Sequence, residues 1–405
     1  MPHHRPLIVW TLAAIAVACA GCSPVPTQQP TAVPAAISEA RTEPTNTLAA
    51  DNTPAAVSTL IPTATSAPPT TPRPAARTPV RVFCAGSLMI PFAALEPAFE
   101  AANPDLDMLM EAHGSIQVIR HVTDIHEEID VVASADHRLL SLLMYNTLNP
   151  DSGQPYARWN IRFATNKMAL AYGPHSQYAD ELTSDNWAEI VSRPGVRVGL
   201  ADPRFDACGY RQLMVLQLAE GLYDRKTLFE DMLMGRFVQP ITAEQVGDQV
   251  LIHVPEVLEP RSRSTIVMRG SSVQLIPLLQ SGDVDYVFEY ESVVQQHNLS
   301  HITLPDGLNL GSPEFEKAYG QVAVKLDFRR FSAVEPLFPG EVIAYGLTIP
   351  TNAPQPDAAA RLVAFALGPE GHRIMAESYH PLLEPLRADH LELLPPELAA
   401  LCQPE

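Results

Sequence analysis

Between residues 80 and 145 the sequence alternates between buried-strand and amphipathic-helix patterns. The patterns predict strands over 80–84, 106–111 and 130–134, and helices over 92–103, 115–125 and 138–145. Strands that alternate with helices in this way form a parallel sheet with helices on both faces. Ligands bind to such sheets beyond the carboxyl ends of the strands. The alternation therefore constrains the chain to an α/β fold with a binding site at one sheet edge.

The same alternation returns in the rest of the chain. Further strands are predicted over 163–172, 197–201, 284–288 and 343–349, and further helices over 187–191, 209–222, 272–280, 358–367 and 370–378. Residues 80–405 exceed the roughly 250–300 residues at which a single core stops growing, so we expect two lobes. We place the first part of lobe I at 80–162, lobe II at 163–340, and a return to lobe I with C-terminal helices at 341–405. The stretch 234–264 is predicted to be an irregular excursion with short strands.

The first 79 residues predict export. Basic residues precede an apolar stretch, and the small residues before Cys22 resemble a bacterial lipobox, so we assign 1–22 as a lipoprotein-type signal peptide with lipidation at Cys22. Cys19 stands where that motif usually has Leu, which leaves cleavage without lipid, or an uncleaved anchor, as alternatives. Residues 23–79 hold 12 of the chain's 39 prolines and predict a disordered tether rich in Pro, Thr and Ala. We therefore expect an extracytoplasmic protein that is held at the membrane surface by an N-terminal lipid.

Charge and cysteine content exclude several functions. The formal net charge of −19 argues against a nucleic-acid partner, since nucleic acids are bound by basic surfaces. The remaining cysteines, Cys84, Cys208 and Cys402, have no spacing typical of a zinc site or a disulfide framework. A Cys84–Cys208 bridge remains a minor alternative. Any affinity for an anion must come from local dipoles and hydrogen bonds, because the overall field repels anions.

Three short segments are candidates for such local anion binding. They are VFCAGSL at 82–88, HGS at 113–115 and DACGYR at 206–211, and each lies where a predicted strand precedes a predicted helix. The free N–H groups of a helix N-terminus bind anions. Ser and Asp are also common N-cap residues, so capping alone explains any one segment. We expect Ser115 to cap the helix that follows it.

Six segments, taken in order, resemble the tungstate/molybdate-binding proteins of ABC importers. They are FCAGSL at 83–88, GSIQ at 114–117, DVVASAD at 130–136, FATN at 163–166, CGYR at 208–211, and Asp285-Tyr286 with Tyr290. The resemblance covers about 80–385. It implies a periplasmic-binding-protein fold of the second type, with two lobes of parallel or mixed sheets flanked by helices and joined by hinge strands. It also implies a monomeric binding protein, not an enzyme, that passes tungstate or molybdate to ABC permease membrane subunits without a cofactor.

The resemblance also implies a set of oxyanion-binding residues. They are Gly86, Ser87, Gly114 and Ser115 from lobe I, and Asp206, Cys208, Ser272 and Tyr290 from lobe II. The archaeal branch of the family adds two carboxylates that ligate the metal directly. Asp206 matches the first and is a possible direct ligand of tungsten or molybdenum, whereas Ser272 stands where a Glu is expected. An alignment shift of a few residues brings Glu289 or Asp283 to that position instead. With one carboxylate, we expect tetrahedral binding in which Ser272 donates a hydrogen bond.

Three other functions remain open at this point. The cleft could bind another tetrahedral oxyanion such as sulfate or phosphate, or the chain could be a tethered surface receptor. A secreted cysteine-dependent enzyme would pair Cys84 or Cys208 with one of 13 histidines, but no local signature surrounds either cysteine. Two expectations concern residues outside the ligand shell. Arg211 is predicted to pair with Asp206 or Asp202, and Asp130 and Asp136 to bind hinge or turn backbone.

Overall fold

Three β-sheets organise the part of the chain that the structure describes. The computed structural model describes residues 76–327 and 336–405. The predicted signal peptide, Cys22 and nearly all of the predicted tether lie outside these ranges. The described strands are, in chain order, β1 (Thr78–Ala85), β2 (Leu106–His113), β3 (Val131–Ser134), β4 (Ile161–Thr165), β5 (Met168–Tyr172), β6 (Val198–Ala201), β7 (Thr242–Val246), β8 (Gln249–Val254), β9 (Ile266–Arg269), β10 (Tyr286–Tyr290), β11 (Ser300–Thr303), β12 (Val322–Leu326), β13 (Leu337–Pro339), β14 (Ala344–Thr348), β15 (Leu382–Ala388) and β16 (Cys402–Pro404).

Helices cover these sheets. The described α-helices are α1 (Met89–Ala102), α2 (Ser115–Thr123), α3 (His137–Leu139), α4 (Trp187–Ser192), α5 (Ala207–Tyr223), α6 (Leu228–Leu233), α7 (Ile276–Ser281), α8 (Glu291–Gln296), α9 (Glu316–Tyr319), α10 (Pro356–Leu367), α11 (Pro369–Glu377) and α12 (Pro396–Ala399). Short 3₁₀ turns lie at Gly86–Leu88, Ser272–Leu275, Pro313–Phe315 and Leu391–Leu393, and a π-helical turn at Leu140–Met144 follows α3. The helix predicted over 138–145 is thus a short α-helix that continues as this π turn.

The seven-stranded sheet has the order β16-β15-β4-β14-β3-β1-β2. β1 pairs in parallel with β2 and β3, as the alternation predicts, whereas β14 pairs antiparallel with β3 and β4. Every residue of β3 is buried. A strand with helices over both faces of its sheet must be apolar on both sides, and this explains the continuous Val131-Val132-Ala133 run.

The five-stranded sheet has the order β11-β5-β10-β6-β9. β6 pairs in parallel with β9 and β10, and β5 pairs antiparallel with β10 and β11. The sequence of β10, Tyr-Val-Phe-Glu-Tyr, is wholly buried and includes one acidic residue, Glu289. Together the two sheets confirm the predicted mixed α/β fold with helix-flanked sheets; the lobe boundaries stay a prediction.

The chain crosses from one sheet to the other between β4 and β5. A single strand was expected over 163–172, but the structure interrupts it at Asn166 and Lys167. The Asn166 side-chain oxygen accepts hydrogen bonds from the backbone N–H groups of Lys167 and Ser292, at 3.0 and 3.3 Å. Asn side chains that bind nearby backbone in this way compete with the ladder of a continuous strand. The chain returns to the seven-stranded sheet at β14.

A four-stranded sheet, of order β13-β12-β8-β7, includes part of the stretch predicted to be irregular. β7 and β8 form a hairpin whose turn contains Gly247 at φ +62. β8 then pairs in parallel with β12, which lies about seventy residues further along the chain. The short strands expected within 234–264 are therefore present as β7 and β8. Their place in a regular sheet with β12 was not predicted, because a pairing of that separation has no local signal in the sequence.

Candidate functional site

The turn after β1 places Gly86 and Ser87 against the five-stranded sheet's loops. Ser87 is buried, and its hydroxyl oxygen lies 2.8 Å from the Tyr345 hydroxyl. A Cβ on Gly86 would lie 2.7 Å from the Ser271 hydroxyl oxygen, on the loop after β9. This approach is closer than real Cβ contacts, so Gly86 allows the two loops to meet.

The turn after β2 brings Gly114 and Ser115 to the same edge of the seven-stranded sheet as Gly86 and Ser87. The expectation that Ser115 caps its helix was wrong, because Gly114 occupies the N-cap position of α2. The buried Ser115 hydroxyl oxygen instead accepts a hydrogen bond from the Ala135 N–H at 3.0 Å, just beyond β3. A hydroxyl that accepts from a fixed donor still has its own proton to donate.

The N-terminus of α2 contacts the loop before α5. The N–H groups of Ile116 and Gln117 donate to the Phe205 carbonyl oxygen at 3.0 and 3.2 Å. A Cβ on Gly114 would lie 2.4 Å from that oxygen and 2.7 Å from the Gly270 carbonyl oxygen. Both neighbours are backbone atoms, so a side chain at 114 is incompatible with this contact. Loops from the two sheets therefore meet directly at the site.

Asp206 is the N-cap of α5 and lies in the centre of these contacts. One carboxylate oxygen accepts from the Cys208 N–H and the other from the Ser272 N–H, each at 2.9 Å. Burial raises the pKa of Asp206, while these two N–H donors oppose the shift. The capping interpretation and the binding interpretation are compatible, because each carboxylate oxygen has a further lone pair.

A second buried carboxylate, Glu289, lies beside Ser272. Its Oε1 accepts from the Ser272 hydroxyl at 3.0 Å and from the Tyr290 N–H at 2.8 Å. Its Oε2 is buried and has no hydrogen-bond partner among residues 76–327 and 336–405. Burial raises the pKa of Glu289 to about 8, and the charge of Asp206 adds to the shift.

Ser272 thus holds two carboxylates, with its N–H on Asp206 and its hydroxyl on Glu289. From the sequence, Glu289 is a candidate only if the alignment shifts by a few residues. The signal that could have favoured Glu289 is its position as the one acidic residue in the otherwise apolar and aromatic sequence of β10. The neighbouring Ser271 was not selected from the sequence. Its buried hydroxyl makes no geometric hydrogen bond in the described part of the chain, but it lies close enough to Asp206 to oppose the rise in the pKa of that carboxyl.

Tyr290 is held by Arg211. One guanidinium nitrogen of Arg211 donates to the Tyr290 hydroxyl and to the Ala135 carbonyl oxygen, both at 2.7 Å. Because the Tyr290 oxygen accepts this bond, its proton is free for another acceptor. Burial raises the pKa of Tyr290 well above its usual range, so the hydroxyl stays protonated.

The predicted partners of Arg211 were wrong. Its second guanidinium nitrogen lies 3.3 Å from a carboxylate oxygen of Asp136, beyond β3, whereas Asp202 pairs with Arg204 at 2.6 Å. Asp136 also accepts from the Tyr210 hydroxyl at 2.6 Å. A buried guanidinium needs an anionic partner, and here that partner comes from the opposite sheet.

Asp130 and Asp136 do bind backbone as expected. Asp130 accepts from the N–H groups of Arg81 and Gln355 at 2.8 and 2.7 Å, and Asp136 from the Arg138 N–H at 2.9 Å. The contacts with Arg211 and Tyr210 give Asp136 an additional role at the meeting of the two sheets.

Cys208 donates its backbone N–H to Asp206, and its buried thiol packs as a small apolar side chain. The sulfur lies 3.6 Å from the Phe288 carbonyl oxygen. Burial raises the pKa of Cys208 well above its usual range, and it raises that of Cys84 also. Both cysteines are free thiols, so the minor alternative of a bridge between them is wrong. A thiol that keeps its proton is a poor nucleophile.

Asp136, His137 and Glu341 could offer three metal-ligand atoms within 4.8 Å of one another. However, Glu341 lies 2.6 Å from the Arg138 guanidinium, and Asp136 already faces Arg211. Two nearby guanidinium groups repel a divalent cation, so this cluster is better described as an ion-pair network.

Comparison with known proteins assigns this architecture to a family. Residues 80–379 match the family described as bacterial extracellular solute-binding proteins. The chain belongs to this family. This solute-binding protein is 37% identical over 306 residues to an uncharacterized solute-binding protein of Methanoculleus marisnigri, which covers 76% of this chain and 82% of the relative.

Two further matches have names that refer to oxyanions. The solute-binding protein is 36% identical over 313 residues to the molybdate/tungstate-binding protein WtpA of Thermococcus kodakarensis, covering 75% of this chain and 82% of that protein. Among solved structures, the periplasmic molybdate-binding protein of Azotobacter vinelandii matches with a TM-score of 0.48 and 15% identity, covering 75% of this chain and 99% of that chain. The predicted class of solute-binding protein is confirmed by the family.

Within residues 76–327 and 336–405, no helix combines the length and the apolar character that a membrane span requires.

Proposed function

We propose that this solute-binding protein captures tungstate or molybdate between its two larger sheets and delivers it to an ABC permease. The observation that carries the proposal is the buried pair Asp206 and Glu289, of which the Glu289 Oε2 has no hydrogen-bond partner in the described part of the chain. The 36% identity to a protein named for molybdate and tungstate supports the same ligand class. In this assignment the protein binds its solute and is not an enzyme.

Hydroxyl groups provide donors for the oxyanion. Ser115 accepts a hydrogen bond from the Ala135 N–H, Tyr290 accepts one from Arg211, and the Ser87 hydroxyl lies beside that of Tyr345. In the proposed site each of these hydroxyls has a proton to donate to a ligand that can only accept. Hydrogen bonds to charged acceptors are stronger than those to neutral ones. A dianion with four acceptor oxygens suits such a shell. Gly86, Gly114 and Cys208 contribute backbone at the same edge.

The two carboxylates favour a group-six metal centre over sulfur or phosphorus. A carboxylate beside a dianion is repulsive unless it bonds to the central atom or is protonated. Tungsten and molybdenum can add carboxylate ligands, whereas the sulfur of sulfate and the phosphorus of phosphate do not. We assign Asp206 and Glu289 as the two ligands, with Ser272 orienting both instead of donating to the oxyanion. The coordination number of the bound tungsten or molybdenum would then exceed the four of a tetrahedral oxyanion.

Thermal melting with four anions tests the ligand class. At 100 times its dissociation constant, tungstate or molybdate should add about 2.7 kcal/mol to the free energy of unfolding, or roughly 5 °C in a chain of this size. Sulfate and phosphate at equal concentrations are the controls. A shift with only sulfate or phosphate would identify another oxyanion, and no shift with any anion would favour a surface receptor.

Titration calorimetry tests direct ligation. Glu289 holds a proton below about pH 8 in the free protein, and a metal centre that bonds to its carboxylate must displace that proton. We expect the apparent binding enthalpy at pH 7 to depend on the ionisation enthalpy of the buffer, corresponding to proton release. Equal enthalpies in all buffers would contradict ligation by Glu289. The absorption-edge spectrum of bound tungsten reports its coordination number independently.

The export assignments belong to the same proposal. We propose that Cys22 carries a lipid, that 23–79 is the tether, and that the mature protein is an extracytoplasmic monomer at the membrane surface. Labelling with a fatty-acid analogue should mark the wild-type protein and not Cys22→Ser. Equal labelling of both proteins, or labelling of neither, would contradict lipidation at Cys22.

A further inference from the structure

Tyr345 connects Ser87 to the point where the chain crosses between the sheets. Tyr345 is fully buried in β14, and its hydroxyl lies 2.8 Å from the Ser87 hydroxyl oxygen and 3.1 Å from the Asn166 amide nitrogen. Asn166 is one of the two residues between β4 and β5. The Tyr345 hydroxyl is therefore shared between a proposed ligand-binding serine and the crossing segment.

Backbone groups determine the orientation of the Asn166 amide. The Asn166 side-chain oxygen accepts from the N–H groups of Lys167 and Ser292, so its amide nitrogen must point to the other side. That nitrogen donates to the hydroxyl oxygens of Tyr345 and Ser292, the latter at 2.8 Å. Ser87 is the acceptor that the described part of the chain offers to the Tyr345 proton, so we assign Tyr345 as the donor in this bond. Ser87 accepts that bond, and its own proton remains for a ligand.

His380 lies at the end of this hydrogen-bond network that is opposite to Ser87, next to Ser292. Its Nδ1 lies 3.1 Å from the Ser292 hydroxyl oxygen, and its ring packs edge-on against Tyr345 at 4.5 Å between centroids. Burial lowers the pKa of His380 to about 3, so the imidazole is neutral and Nδ1 can accept from Ser292. Burial also raises the pKa of Tyr345 well above its usual range. The His380 imidazole and the Tyr345 hydroxyl are therefore both uncharged near neutral pH.

We propose that Tyr345, oriented by Asn166, is a positioning residue that makes the Ser87 hydroxyl a hydrogen-bond donor to the bound oxyanion. This inference rests on the proposed function, because it requires that Ser87 contacts the oxyanion. It adds a residue outside the predicted ligand set and links that contact to the crossing between β4 and β5. Without the Tyr345 hydroxyl, Ser87 is free to rotate and to donate elsewhere.

A double-mutant cycle on the full chain tests the inference. Tyr345→Phe removes the hydroxyl and keeps the ring packed against His380. We expect its Kd for tungstate to rise roughly tenfold, in the range of a lost hydrogen bond to a charged group. Ser87→Ala should weaken binding at least as much. The Tyr345→Phe, Ser87→Ala double variant should bind like Ser87→Ala alone, because Tyr345 acts only through Ser87.

The cycle separates positioning from a general structural effect. Tyr286→Phe is the control, since it removes another buried tyrosine hydroxyl, one that donates to the Gln177 carbonyl oxygen; its Kd should equal that of wild type. If Tyr345→Phe leaves the Kd unchanged, or if its effect adds fully to that of Ser87→Ala, the inference is wrong while the proposed function stands. If wild type binds neither tungstate nor molybdate, both fail.

Discussion

Glu289→Gln is expected to weaken tungstate binding on the order of 100-fold, equivalent to about 2.7 kcal/mol. The substitution keeps an amide oxygen that can accept from Ser272 and from the Tyr290 N–H, so the local fold is preserved. It replaces Oε2, which no described residue contacts by a hydrogen bond, with an NH₂ group that cannot ligate a metal centre. Titration calorimetry gives the Kd directly.

The same variant should make the ligand-free protein more stable at high pH. In the unfolded chain Glu289 titrates near 4.5, whereas in the folded protein its pKa is about 8. Between these values the folded state holds a proton that the unfolded state has released, so the carboxyl costs stability as pH rises. The cost is absent below about pH 4.5 and complete above about pH 8. Its upper bound, at about 1.4 kcal/mol for each unit of pKa difference, is on the order of 5 kcal/mol.

Melting temperatures between pH 4 and pH 9 measure this effect. The difference between Glu289→Gln and wild type should grow through that interval and then level off. Glu291→Gln is the matched control, because it removes a less buried carboxylate two residues away that lies 3.9 Å from Lys167. It should change neither the Kd nor the pH profile. Parallel profiles for Glu289→Gln and wild type would contradict a proton on Glu289.

Gly114→Ala is expected to reduce tungstate affinity by roughly 100-fold or more, as a steric clash with backbone would. The added Cβ would overlap the carbonyl oxygens of Phe205 and Gly270 at 2.4 and 2.7 Å. Since neither oxygen is the end of a flexible side chain, the two loops must separate. The contacts of Ile116 and Gln117 with Phe205 would be lost with them.

Gly221→Ala is the control for this prediction. Gly221 lies in α5, and an added Cβ there has no neighbour within 4 Å. It should leave binding unchanged and stabilise the helix by about 0.5–1 kcal/mol. Small-angle scattering of Gly114→Ala with excess tungstate should show a larger radius of gyration than liganded wild type. Wild-type affinity in Gly114→Ala would show that this loop contact is not needed for binding.

The sequence predicted secondary structure well where a local pattern carries the signal. The strands and helices over 80–145 were predicted to within a few residues, because apolar periodicity reports which side of each element is buried. The break at Asn166 was missed, since a side chain that binds backbone from Ser292 leaves no periodic trace. The pairing of β8 with β12 was missed because it joins distant segments.

In the candidate site, too, the residues that could be predicted are those with a local signal in the sequence. Ser87, Ser115 and Asp206 could be selected because each follows or approaches a strand end with typical turn residues. The partner of Arg211 could not, because Asp136 comes from the opposite sheet and has no fixed spacing from it. Ser272 was assigned by alignment to the place of a carboxylate. The carboxylate that faces it, Glu289, lies on a different strand, and only the three-dimensional pairing brings the two together.

Under the proposed ligation by Asp206 and Glu289, the double role of Ser272 would make the two carboxylates a rigid chelate. Its backbone N–H and its hydroxyl belong to the same residue, so the distance between Asp206 and Glu289 is set by one short covalent unit. A chelate whose ligating oxygens lie at a fixed distance selects metal centres by size, and it is preorganised before the oxyanion binds. The two carboxylates can also be released separately. Removal of the Ser272 hydroxyl would free Glu289 alone, because Asp206 is bound by the backbone N–H of Ser272.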